Sequence, residues 1–144
     1  MYAAPRAVLR LVFSSLFALL VCFGCVGAPD DTAALSAEKP LIRGSAQGLV
    51  EATIRLSEGR LERGPHDLLV ELRATQGDPM PVLVSASASM PAHGHEVSAS
   101  GISTDSSGYR VEGLDFFMSG RWEVALGVEL DGSSDSVDFA IDVP

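Results

Sequence analysis

The 144-residue sequence has two cysteines, Cys22 and Cys25, and none in the 119 residues that follow. That stretch therefore has no disulfide framework, thiol nucleophile or thiolate metal site. An apolar core has to stabilise it. A G-x-x-x-x-G-K phosphate loop and a G-x-S-x-G nucleophile elbow are also missing. Serines such as Ser89 and Ser98 lie near two histidines, but no acid is spaced to orient such a pair. The expectation is a protein that is not an enzyme. Basic charge is scarce as well, with 10 Lys and Arg against 19 Asp and Glu. Nucleic-acid binding needs basic patches that displace counterions, so it is excluded as a function class.

The N-terminus is organised differently from the rest. Met1 to Arg10 carries Arg6 and Arg10 and no acid, and Leu11 to Ala28 carries no charge. A basic start, an apolar middle and a small-residue end are the marks of an export signal. Residues 1–28 read as a signal peptide or a membrane or lipid anchor, helical in form. Three outcomes fit. Cys25, after Gly24, is a candidate lipidation site, with Cys22 standing where such boxes usually carry Leu. Val26-Gly27-Ala28 is a candidate cleavage site. The 18 uncharged residues also reach the lower limit of about 18 for a retained span. The expected location is exported, in the periplasm or cell envelope, with membrane attachment through this segment.

Without those 28 residues, 116 remain, enough for one domain. They keep all 19 acids but lose two of the ten basic side chains, for a formal charge of −11. Residues 29–47 are rich in Asp, Ser, Ala and Pro with little periodicity, and read as a flexible tether. The compact domain is expected over 48–144.

Its periodicity is two rather than 3.6. One face is expected to hold Val50, Ala52, Ile54 and Leu56; Leu68, Val70 and Leu72; Trp122, Val124, Leu126, Val128 and Leu130; and Val137, Phe139, Ile141 and Val143. Shorter or weaker alternation covers 81–89, 96–104 and 109–113. Such patterning suits antiparallel strands with one buried face. The breaks at 59–65, 76–79, 105–108 and 131–134 carry glycine, proline, aspartate and serine. About seven strands at this spacing predict an all-β fold, an immunoglobulin-like antiparallel β-sandwich. Trp122 is expected at the centre of its core.

One constellation carries chemistry. Met90-Pro-Ala-His-Gly-His95 gathers two of the three histidines behind a methionine, and Met118 follows 23 residues after His95. Thioether sulfur is soft and favours Cu(I), while imidazole accepts Cu(I), Cu(II) and Zn(II). A mixed Met and His set outside the cytosol therefore points to copper before zinc. His93 and His95 can converge in a turn if Gly94 adopts positive φ. The candidate metal ligands are Met90, His93, His95 and Met118. His66 and Met80 carry the same donors but stand apart from the motif. The competing reading is architectural: Pro91 and Gly94 shape a turn, Met90 plugs the end of the sandwich, and the histidines bond nearby backbone.

The motif Met90-Pro-Ala-His-Gly-His95, then Gly108-Tyr109, then Leu114-Asp-Phe-Phe-Met-Ser-Gly-Arg-Trp-Glu123, resembles the YtkA-like domain family, related to FixH-like proteins, over 48–144. The resemblance implies an exported bacterial module of lipoprotein type with an immunoglobulin-like fold. It also implies association with copper handling or respiratory oxidase assembly. Ser119 stands where this family frequently has Pro, which alters the turn but not the ligand set. The expected function is a tethered, non-catalytic copper-binding or copper-delivery module. The alternative is a metal-free structural module whose partner is another envelope protein.

Overall fold

In an extended chain successive side chains point to opposite faces, so alternating apolar residues pack only as strands. The computed structural model, which describes residues 35–144, is built of strands over these alternating runs. Residues 1–28, with Cys25 and the expected helix, and the first part of the expected tether lie outside the described residues. The strands are β1 (Leu41–Gly44), β2 (Val50–Leu56), β3 (Gly64–Ala74), β4 (Val82–Met90), β5 (His95–Ser98), β6 (Gly101–Asp105), β7 (Gly108–Phe116), β8 (Gly120–Leu130) and β9 (Ser133–Val143). They form two antiparallel sheets, β1-β2-β3-β7-β6 and β5-β4-β8-β9, packed as a β-sandwich.

Two differences separate the nine observed strands from the seven expected. First, ordered structure starts upstream of Gly48. Leu35 is buried, Ser36 bridges to Arg60, and β1 pairs with β2 from Leu41↔Ile54 to Gly44↔Glu51. Part of the 29–47 stretch read as tether therefore belongs to the sheet. Four residues offer only two inward positions, too few for alternation to register. Second, the single strand expected over 96–104 is two. Ala99 N–H still bonds Ala86 of β4 at 3.0 Å, whereas Ser100 N–H bonds Glu112 of β7 at 2.8 Å. The chain changes sheets within one peptide.

The core follows the alternation. Val50, Ala52, Ile54 and Leu56 of β2 are buried, as are Trp122, Val124, Leu126 and Val128 of β8. Val137, Phe139, Ile141 and Val143 of β9 face them across the β8–β9 register. Leu72 and Leu130 sit partly buried at the margin. Trp122 is wholly buried and heads the large core side chains.

Where alternation breaks, the ladder breaks too. In β4 the inward set runs Leu83, then Ala86, Ala88 and Met90, and the register with β8 shifts between Leu83 and Ser85. One extra residue there reverses the faces. A second irregularity lies in β3 between His66 and Leu68. There the Asp67 carboxylate accepts the Gly113 N–H at 3.0 Å and lies 3.4 Å from the Arg110 guanidinium.

A histidine rim at one end of the sandwich

β4 ends at Met90 and β5 starts at His95, while β7 ends at Phe116 and β8 starts at Gly120. Because β4 and β8 are paired antiparallel neighbours, the 91–94 turn and the 117–119 loop lie at the same end of the sandwich. This topology joins two motifs that are separate in sequence.

The turn is built by its own residues. His93 N–H bonds the Met90 carbonyl at 3.0 Å, Gly94 N–H bonds the Pro91 carbonyl at 3.4 Å, and Gly94 has φ of 66°. An L-residue with a side chain rarely holds that φ, so glycine fits there. The reversal brings the His93 and His95 rings to a centroid separation of 6.4 Å with planes 18° apart. Both histidines are exposed. Imidazole nitrogens bind metals at about 2 Å, so rings sharing one ion have centroids up to about 6 Å apart. The observed pair lies just beyond that limit.

Met90 pairs directly with His95 across β4 and β5. Its side chain is 2% exposed, and its methyl carbon sits against Gly120. Met118 is half-buried and packs on the core edge. The two imidazoles therefore face solvent while the two methionines line the apolar side. His66 lies at the same end but on the other sheet, at the start of β3 opposite Leu114, with Nε2 2.8 Å from the Glu62 carbonyl. Met80 is 86% exposed in the β3–β4 connection, at the opposite end of the sandwich.

Aromatic rings tie the rim to the core. The His95 ring meets Phe117 edge-to-face at 5.2 Å, and Phe117 meets Trp122 at 5.4 Å. Phe116 meets the same indole at 5.5 Å, and His66 lies 6.1 Å from Phe116. Phe117 was missing from the candidate set. Its signal was the Phe116-Phe117 pair at a strand end, where only one ring can enter the core; the other is 42% exposed beside His95.

Among the described residues, no three His, Cys, Asp or Glu side chains gather as a metal-holding group. Ser89, one residue before Met90, turns to the other face, where Glu96 and Glu123 flank it in register. The candidate donors are two exposed imidazoles, the half-buried Met118 thioether and the buried Met90 thioether. This donor set suits a soft ion such as copper. A cavity of about 750 Å³ at the same end is lined by Leu35, Lys39, Arg60, Leu61, Asp142 and Pro144, and contains none of the four candidate ligands.

The fold and the rim define an all-β sandwich carrying a paired-histidine turn. Comparison with known proteins extends this no further: no family model, curated protein or solved structure matches the chain.

Proposed function

We propose that this chain is an exported, membrane-tethered, non-catalytic module that binds or delivers copper through His93, His95, Met90 and Met118. The observation that carries the reading is the approach of the exposed His93 and His95 rings to 6.4 Å beside Met90, the register partner of His95. A soft cation held by imidazole and thioether needs no carboxylate. The apolar core beneath Met90 and Met118 limits water on that side of the ion, and the apolar surroundings of a metal site tune its affinity. On this reading the sandwich is immunoglobulin-like and the chain a YtkA-like member, attached through Cys25 or a retained N-terminal segment. Copper titration under reducing conditions, comparing wild type with the His93→Ala/His95→Ala double variant, tests the reading. Loss of binding in the variant supports it, and equal affinity sinks it.

One observation favours a second reading, a metal-free envelope interaction module. Val82 and Val84 are 48% and 49% exposed on the part of β4 that extends past its pairing with β5. An uncovered apolar strand margin is a place for another chain to add. On that reading Val84→Lys abolishes association with the envelope fraction in a chain lacking residues 1–28, while the histidine variants leave it intact.

A further inference from the structure

Trp122 contacts the 117–119 loop at two points, and one of them leads on to the histidine turn. Its indole N–H donates to the Met118 carbonyl at 2.9 Å. Its ring packs edge-to-face with Phe117 at 5.4 Å, and Phe117 packs against His95 at 5.2 Å. The rest of the indole is sealed in the core. A buried indole N–H has one donor and no acceptor capacity, so this bond fixes where the Met118 main chain can sit. Ser119 adds a second anchor to the same loop by donating to the Pro144 carbonyl at 2.8 Å.

We infer that Trp122 is a positioning residue for the rim, holding Met118 by its N–H and His95 through the Phe117 ring. The inference rests on the copper reading above for its functional meaning, but the positioning itself concerns the metal-free protein. The two contacts use different chemistry and are separable. Trp122→Phe keeps an aromatic ring in the core and removes the donor. Phe117→Leu keeps an apolar side chain and removes the ring between Trp122 and His95. Val124→Ala, on the same strand and face as Trp122, weakens the core without touching either loop.

The experiment uses the full chain and two readouts. One is Cu(I) affinity measured against a competing chelator. The other is NMR of the metal-free protein, following the Met118 methyl and the His95 ring. Trp122→Phe is expected to shift the Met118 methyl resonance and Phe117→Leu the His95 ring resonances. Each is expected to weaken Cu(I) binding by about tenfold, at the lower end of what loss of a supporting contact costs a metal site. Val124→Ala is expected to lower the melting temperature and leave both readouts near wild type. Wild-type affinity in both rim variants overturns the inference, as does equal weakening by Val124→Ala. If wild type binds no Cu(I), the copper reading fails on its own. The resonances then decide the positioning role, and unmoved Met118 and His95 signals overturn it.

Discussion

The Asp135 carboxylate accepts the backbone N–H of Gln47 at 3.0 Å across 88 residues of sequence. It also takes the N–H groups of Ser136 at 2.8 Å and Leu49 at 3.4 Å, and it bonds the Ser45 side chain. This one side chain pins the β1–β2 turn to the start of β9.

Burial pushes the Asp135 carboxyl up, but the four donors more than offset it and hold it below the ordinary aspartate value. The folded state therefore favours the carboxylate. Its contribution is complete above the unfolded value, near pH 4, and is lost as pH falls through the lower folded value. Asp135→Ala is expected to destabilise the domain by about 1–3 kcal/mol at neutral pH, because it leaves several partly buried donors unpaired. Urea unfolding of both proteins near pH 7 and near pH 3 checks this, with a smaller gap expected in acid.

Gly120 opens β8 with φ of 124°, and a Cβ there would lie 2.9 Å from the Met90 methyl carbon. Gly120→Ala is expected to cost about 1–3 kcal/mol from backbone strain and overpacking. Trimming Met90 relieves the packing part alone. The Gly120→Ala/Met90→Ala double variant should thus fall short of the summed single costs in a denaturant cycle.

Leu35 is 2% exposed and β1 pairs with β2 along its whole length. A chain starting at Gly48 loses both. It is expected to be less stable than one starting at Leu35 by at least the roughly 1.5–3 kcal/mol of one buried leucine. Melting the two truncations side by side measures the difference; equal midpoints would return residues 35–47 to the status of a tether.

His93 and His95 are exposed and the turn that carries them is closed by backbone bonds. The double alanine variant is therefore expected to change stability by no more than about 0.5 kcal/mol. A larger loss in thermal unfolding would mean the histidines are architectural and would favour the metal-free reading.

Much of this was legible in the sequence, and the limits have physical causes. β2, β8 and β9 were plain because four or five consecutive inward positions are apolar. β1 was hidden because Leu41–Gly44 is too short to show a period. The crossover at Ala99–Ser100 was hidden because the link between β5 and β6 is only two residues long, with its bend at Ser100. The bulge after Leu83 blurred β4 by moving apolar residues from odd to even positions. At the rim, Met90-Pro-Ala-His-Gly-His95 showed the turn, including the positive φ of Gly94. The burial of Met90 and the packing of Phe117 on His95 depend on tertiary register, which no local spacing encodes.

The crossover also bears on how the protein behaves among other copies of itself. A two-sheet sandwich has four edges, and each is a template for stray strand addition. Here β5 and β6, the edges on one side, are consecutive pieces of one chain joined through Ala99 and Ser100. On the other side the turn after β1 is stitched to β9 by the Ala46 N–H to Ser136 carbonyl bond at 2.8 Å. Further along β9 the exposed Asp138 and Asp142 charge the margin. Both flanks are thus partly seamed, and resistance to edge-to-edge aggregation comes from the path of the chain as much as from its acidity.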